Sequence, residues 1–366
     1  MTPQDNPNQP VRVGYVGTGW PKRIQIPTFR LGGLAAQAIC SGNPENAHAA
    51  AKELGIPQVY DTWQEMVAAP DMDVVSITAP PNLHLEISIA ALRAGKHVIC
   101  EKPTALSVAE AEAMVAAAQA APDQLAIIDH ELRFTPQRQQ MRQLLREGYV
   151  GRILWVEFRE ARDWRLNPEL AWNWWSSVEM GGGILNALGS HAVDTLRWMI
   201  GRIDGVSAQL RTAHFHRPDP ATGGLRPVTA DDHAHLQLRF GNGVQGAATI
   251  SGVTPGGAGQ TIEIYGTDGA LRLDTQDHLW GLRGKAFPNG EWAPIRVLDP
   301  VANLAEMPSL SPYARGSVYL ARTVAGALAQ GESWLPDAAN FLDGLAVQRV
   351  LDAARLSDSE EMWVTV

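Results

Sequence analysis

The sequence predicts an α/β chain of two domains: a parallel sheet with helices on both faces, then an α+β domain on a large, mostly antiparallel open sheet. Three observations carry that expectation. Short apolar runs alternate with helical segments as far as residue 130, the rhythm of βαβ units. The strand-like run Val11 to Val16 leads directly into Gly17-Thr18-Gly19, the opening of a dinucleotide-binding turn. Beyond Asp129 the rhythm changes, and strand-like runs punctuated by turn signals dominate. At 366 residues the chain is long for one ordinary core. The expected division is therefore a Rossmann NAD(P)-binding domain over residues 1–130 and an α+β domain over residues 131–366.

Composition narrows the class. Apolar residues make up 45% of the chain and charged residues 19%, with a net charge of -9. That is an ordinary globular profile, and its acidic balance argues against nucleic-acid or anionic-membrane partners. The two cysteines, Cys40 and Cys100, lie inside apolar runs, so a disulfide framework is not expected and a reducing, cytoplasmic setting fits. Met1 to Pro10 is polar and proline-rich, so no signal peptide is expected. No uncharged apolar run reaches the roughly 18 residues of a membrane span.

In chain order, the first strand ends at Gly17-Thr18-Gly19-Trp20, where two glycines let the backbone turn tightly and approach a pyrophosphate. The third glycine position holds Lys22, a departure, and the turn alone also reads as an ordinary Gly-rich loop. Ala36 to Cys40 is a second strand leading to Ser41-Gly42-Asn43, where such folds read the adenosine ribose. A carboxylate there bonds the 2′-hydroxyl of NAD and repels a 2′-phosphate. Ser41 holds that place, which favours NADP over NAD, although no Arg or Lys sits in the loop. Asn46 to Gly55 is a helix, Val59-Tyr60 a brief extended piece, and Thr62 to Ala69 a helix. Asp73 to Ile77 is a strand ending in Thr78-Ala79-Pro80-Pro81-Asn82. The helix His84 to Ala94 stops at Gly95. Val98-Ile99-Cys100 is a short buried strand, and Glu101-Lys102-Pro103 follows it. In an open α/β sheet that end of a strand is where ligands bind, so Lys102 delivers a positive charge to a crevice. Ser107 with Glu110 forms a capping box that opens an Ala-rich helix. Leu125 to Ile128 is the last strand of the domain.

In the second domain Thr135 to Gly148 is a helix. Strands are expected over Ile153 to Phe158, Val206 to Thr212, His233 to Phe240, Val244 to Ser251, Thr261 to Tyr265 and Ala270 to Leu273. Gly241-Asn242-Gly243 signals a hairpin. Helices are expected near Gly189 to Ile200, Ser317 to Gln330 and Asp337 to Leu356, and Pro218 to Pro227 reads as a mobile loop.

With these residues in place the chain resembles the glucose–fructose oxidoreductase / inositol dehydrogenase / MocA (Gfo/Idh/MocA) family. The resemblance rests on an ordered set: Gly17-Thr18-Gly19, Thr78 to His84, Ala94 to Pro103, Arg133-Phe134-Thr135-Pro136, and Gly181-Gly182-Gly183 followed by Gly189-Ser190-His191-Ala192-Val193-Asp194. It implies an NAD(P)-dependent oxidoreductase acting on sugars or cyclitols. The second domain's sheet would then cover the substrate and form a homodimer or homotetramer. The positions carried over as cofactor-binding are Gly17, Thr18, Gly19, Trp20, Ser41, Gly42, Asn43, Ala79, Pro80, Asn82, His84, Glu101 and Lys102. Lys102, Arg133, Trp174, Asn186 and His191 face the substrate, with Lys102, His191 and Asp194 as the catalytic set and no metal. The family often carries Asp four residues before the histidine; here that position is Ala187. Relatives include non-catalytic nucleotide-binding regulators and biliverdin-reductase-like enzymes that reduce an unsaturated or imine bond, and both readings stay open.

Residue chemistry supports the same set. Removing a hydroxyl proton needs a base, and an imidazole of ordinary pKa near 6.5 suits it. A buried ammonium stabilises alkoxide character. Each residue has a plainer reading. Lys102 reads also as a solvated partner of Glu101, His191 as a satisfied helix histidine, Asp194 as helix packing, and His84 as a helix start. Trp172, Trp174 and Trp175 offer either a wall for sugar C–H faces or core packing. Arg159, Arg162 and Arg165 read as surface ion pairs, and His233 and His235 as an ordinary polar strand face.

Overall fold

The computed structural model describes residues 9–284, 290–299, 301 and 311–366. The first eight residues, part of the stretch read as lacking a signal peptide, lie outside it. The chain forms two compact units, Met1–Thr135 with Val301–Leu345, and Pro136–Pro300 with Ala346–Val366.

In the first unit six parallel strands carry the fold: β1 (Arg12–Val16), β2 (Ala35–Cys40), β3 (Gln58–Tyr60), β4 (Val74–Ile77), β5 (His97–Cys100) and β6 (Ala126–Ile128). Their order is β6-β5-β4-β1-β2-β3, extended beyond β6 by the short antiparallel strand Ala339–Asn340. The strand order reverses at the β1/β4 pair, which opens a crevice at the C-terminal strand ends. Helices α1 (Ile26–Leu31), α2 (Pro44–Leu54), α3 (Trp63–Ala68), α4 (His84–Arg93) and α5 (Val108–Gln119) make the crossovers. Side chains alternate across a strand. Ile99 therefore packs on one face with Val13, Tyr15 and Phe29, while Val98 and Cys100 pack on the other with Val75, Ile77 and Met114. Because both faces are covered, β5 reads as an unbroken apolar run. Each such Val or Ile contributes about 1.5–3 kcal/mol. The cap at Ser107 forms as expected: its hydroxyl accepts from the Glu110 amide. The Glu110 carboxylate reaches back one residue further, to the Leu106 amide.

The second unit opens with α6 (Pro136–Arg146) and β7 (Ile153–Ala161), then α7 (Ser190–Ile200), β8 (Ile203–Arg211), β9 (His216–Pro218), β10 (Leu225–Pro227), β11 (His233–Phe240), β12 (Gln245–Ser251), β13 (Gly259–Gly266), β14 (Gly269–Leu273), β15 (Leu279–Arg283) and β16 (Ala293–Pro294). The large sheet runs β16-β15-β14-β13-β7-β12-β11-β8 and ends in Val364–Thr365. Its pairs are antiparallel except β7 with β12. Val156, Phe158, Leu236, Leu238, Ile262 and Ile264 line one face and pack with Val193 and Leu196 of α7. The alternate residues Trp155, Glu157, Gln237 and Arg239 leave the other face open.

Three details differ from the sequence expectations. The helix read at Ser317 to Gln330, α8 (Pro312–Ala329), falls in the unit of the parallel sheet. Its Leu320, Ala321 and Val324 share a core with Val13, Phe29 and Leu34. An apolar helix face does not name its partner from sequence, so a boundary at residue 130 misses this return. The last helix, α9 (Phe341–Glu360), starts in the first unit and ends in the second. Pro218 to Pro227, read as a loop, is largely a β9–β10 hairpin closed by the Asp219 amide to the Gly224 carbonyl.

Candidate active site

In the first unit the residues just past β1, β2, β4, β5 and β6 are brought to one sheet edge. Gly17 follows β1, with φ +116°; a Cβ there would lie 2.8 Å from both the carbonyl oxygen and Oγ1 of Thr78. Thr78 Oγ1 in turn donates to the Val16 carbonyl at 2.7 Å. Only glycine lets the ends of β1 and β4 approach this closely. Gly19 and Gly42 instead face open space, so a ligand can reach their main chain. Lys22, at the departed glycine position, pairs with Glu53 of α2 at 2.6 Å. After β2, Ser41 Oγ accepts the Asn43 amide, and Asn43 Oδ1 caps α2 by accepting the Glu45 amide at 3.0 Å. Residues 41–43 carry no carboxylate. Trp20 and Pro80 are half-buried, and Asn82 is exposed.

Glu101 and Lys102 follow β5. The Glu101 amide donates to the Ile77 carbonyl at 2.9 Å, which ties this end to β4. Glu101 Oε2 accepts the Lys102 amide at 3.3 Å. Glu101, Asp129 and Glu131 gather around Lys102, and all three carboxyls are raised. Burial pushes Glu101 up to about 8, helped by Asp129 and opposed by Lys102. Burial pushes Asp129 up to about 6 against the pull of Gln25 and Lys102. Glu131 is raised well above the carboxylate range, by burial first and then by the other two carboxyls. Gln25 bridges the group: its Nε2 donates to Asp129 Oδ2 at 2.8 Å, and its Oε1 accepts from Ser76 Oγ at 2.6 Å. Sequence reasoning assigns no role to Gln25, Ser76, Asp129 or Glu131. The available signal was a polar residue inside an apolar run, as in Val74-Val75-Ser76-Ile77.

Two sequence-assigned residues are buried against protein partners. His84 is fully buried, with Nδ1 2.9 Å from the Pro103 carbonyl and Nε2 3.0 Å from the Ala79 carbonyl. Burial drives its pKa down to about 4, outweighing the carbonyls and seconded by Lys102. Each ring nitrogen thus lies against a loop carbonyl, the neutral ring donating to one of the two, and the ring sits between the β4 and β5 loops. Arg133 is buried and ion-paired with Asp343 at 3.2 Å.

In the second unit His191 and Asp194 sit three residues apart on α7, both buried. A π-helical turn, Leu185–Gly189, precedes α7. Asp231 holds its start, with Oδ2 accepting the Leu185 amide at 2.7 Å and the main-chain carbonyl accepting the Ile184 amide at 2.9 Å. Asn186, also buried, donates to the Gly181 carbonyl at 3.0 Å and accepts from Arg355 at 2.5 Å. Trp164, Trp174 and Trp175 form an aromatic cluster, with ring centroids 5.2 Å apart for Trp164–Trp175 and 5.5 Å for Trp174–Trp175. Arg165, read as a surface ion pair, is buried against Asp232, and Arg217 donates to the carbonyls of Arg165 and Asn167. These contacts fix the segment that carries the tryptophans. The glycine triplet exists for packing: a Cβ on Gly182 would meet the Trp174 carbonyl at 2.5 Å, and one on Gly183 would meet Asp231 Oδ1 at 2.3 Å.

Residues 11–128 match the oxidoreductase family, NAD-binding Rossmann fold, and residues 138–272 match the GFO/IDH/MocA C-terminal domain. A levoglucosan dehydrogenase of Pseudarthrobacter phenanthrenivorans is 31% identical over 363 residues, covering 90% of this chain and 89% of that protein. This chain belongs to the GFO/IDH/MocA oxidoreductase family. Among its relatives is the human glucose-fructose oxidoreductase domain-containing protein 2, 31% identical over 97% of this chain and 93% of that one. The solved structure of levoglucosan dehydrogenase with NADH and levoglucosan superposes with a TM-score of 0.88 at 28% identity, covering 98% of this chain and 99% of that one.

As a GFO/IDH/MocA oxidoreductase the chain has an NAD-binding first domain, and the cradle past β1 and β2 fits a dinucleotide: a glycine-tight turn beside accessible main chain. The second domain's glycine triplet gives a stability test. At Gly183, φ is +99° and a Cβ collides with Asp231. Gly183→Ala is expected to cost about 3 kcal/mol, joining backbone strain to loss of the Asp231 cap. Gly148→Ala, at φ +77° in open space, should cost about 1 kcal/mol. Denaturant unfolding of the two variants measures the difference, and equal losses would refute the role given to Asp231.

Proposed function

We propose that the protein transfers hydride between NAD(P) and a secondary alcohol of a sugar, cyclitol or related polyol, with Lys102 and His191 serving one reaction. What supports the proposal is that Lys102 and His191 stand in segments resembling the family's motifs, in a chain matching levoglucosan dehydrogenase along nearly its whole length. The nicotinamide, when bound, supplies hydride chemistry. The chain's residues do the rest. His191 takes the hydroxyl proton as the alcohol is oxidised, and Asp194, one helical turn on, orients the imidazole. Lys102 stabilises negative charge on the alcohol oxygen. In the reducing direction the proton flow reverses. The Trp174 cluster offers indole surface to the apolar C–H faces of a sugar. Purified protein screened against aldoses, cyclitols and sugar acids with both dinucleotides tests this at the nicotinamide absorbance. Dinucleotide binding without turnover of any alcohol would instead favour a regulator or a reductase of unsaturated or imine bonds.

The finer cofactor reading is that the site takes NADP in preference to NAD. Its support is the absence of a carboxylate at residues 41–43. Ser41→Asp would place a negative charge where the 2′-phosphate falls, and should weaken NADP about 10- to 100-fold, that is about 1.4–2.7 kcal/mol, with NAD little changed. Titration of both dinucleotides measures it; equal losses would remove Ser41 from cofactor choice. The open sheet face, where Trp155 and Trp363 are exposed, is proposed as the contact of a homodimer or homotetramer, and sedimentation of a monomer would exclude it. Among the described residues no helix is long and apolar enough to cross a membrane, and a cytoplasmic location remains part of the proposal, tested by cell fractionation.

A further inference from the structure

We infer that Glu101 and Asp129 are positioning residues for Lys102: they share a single proton, fixed in place by Gln25, and leave one negative charge beside the ammonium. The two residues leave neighbouring strand ends, where the Asp129 amide donates to the Cys100 carbonyl at 2.7 Å, and each carboxyl acts on the other. Two ionised carboxylates only accept, so a bond between them needs a proton on one. Asp129 Oδ2 is taken by the Gln25 amide, and among the described residues no N–H or hydroxyl donor reaches the buried Oδ1. Gln25 is held one way round, because its carbonyl accepts the Ser76 hydroxyl while its amide faces Asp129. That donor favours the charge on Asp129 and the proton on Glu101, whose own main chain leads into Lys102. Gln25 closes the π-helical turn after the glycine loop, so one relay joins the dinucleotide turn to the Lys102 loop.

The titratable groups facing the pair are Lys102, Glu131 and Cys100. Glu131 is raised well above the carboxylate range by burial and then by the same two carboxyls, and the Cys100 thiol is pushed up by burial. The inference rests on Lys102 acting in the proposed reaction, but its central test does not use turnover. A carboxyl raised on folding keeps a proton in the native state that the unfolded chain has lost. Stability is therefore full below the ordinary carboxylate range and is lost as pH rises toward the folded value of about 8 for Glu101. His84, depressed to about 4, acts in the opposite sense, and only below the ordinary imidazole value of about 6.5.

The test is therefore made between about pH 6.5 and pH 8, on full-length protein in a Glu131→Gln background that removes the third carboxyl. There the unfolding equilibrium constant should rise with pH by up to about tenfold per unit. Glu101→Gln and Asp129→Asn should each abolish that rise, since each leaves one carboxylate and one amide donor. Infrared spectra of the folded parent at neutral pH should show the stretch of an un-ionised carboxyl, absent from both single variants. Gln25→Met, which removes the donor to Asp129, should move the stability window and the alkaline limb of kcat together to higher pH. A slope that persists in either carboxyl variant, no un-ionised carboxyl in the parent, or a Gln25→Met kcat profile that stays put would overturn the inference. If no alcohol turns over while the slope and the infrared band are present, the shared proton stands and the proposed reaction falls.

Discussion

Lys102→Met is expected to lower kcat by about 10²- to 10³-fold while dinucleotide affinity stays within about threefold. Methionine preserves most of the side chain's length and apolar stem, so the loop after β5 keeps its packing; only the charge is removed. Pro103 remains tied to His84, and the Glu101 amide remains bonded to Ile77, so the strand end should hold its shape. The lost term belongs to the transition state, where negative charge develops on the alcohol oxygen, and a single such donor is typically worth about 10²–10³ in rate. Steady-state kinetics with dinucleotide titration separates the two effects. A variant keeping more than about a tenth of wild-type kcat would show that the ammonium is not the stabilising group.

The second large effect is expected at His191. Replacement by alanine should reduce the alcohol-oxidation rate about 10²- to 10⁴-fold and flatten its rise through neutral pH, because the group that must be deprotonated to accept the hydroxyl proton is gone. Asp194→Asn should cost less and leave the shape of the profile in place, since an orienting group acts through the imidazole. Partial rescue of His191→Ala by added imidazole would support the assignment, whereas a pH profile identical to wild type would disqualify the histidine as base. Because the π-helical turn leading into α7 is held at its start by Asp231, and α7 packs into the core through Val193 and Leu196, loss of the ring should leave a folded protein in which the rate change can be read.

Both experiments probe residues that the sequence singles out, Lys102 by its place and His191 by the family resemblance. Glu101-Lys102-Pro103 sits directly after a buried strand, and His191 sits a fixed distance beyond a glycine triplet. The surroundings that decide what these groups can do were not legible. His84 was assigned to the cofactor, yet its two nitrogens face the Ala79 and Pro103 carbonyls. Arg133 was assigned to the substrate, yet it pairs with Asp343, more than two hundred positions away. Both residue types suit either task, and only the partner that folding supplies separates them. Gln25 and Asp129 went unread for the same reason: each is an unremarkable polar residue until strand order sets them side by side.

The sequence by itself determined the parallel sheet, the strand-rich second half and the residues at the ends of β1, β2, β4 and β5. Apolar periodicity and glycine placement are written within a few residues of the element they specify. Tertiary structure alone decided that α8 returns to the first unit, that β7 and β12 run parallel, and that three carboxyls close around Lys102. Those outcomes depend on which distant surfaces meet out of water. A chain records each surface but not its partner, and the energy of a buried charge is set by the partner.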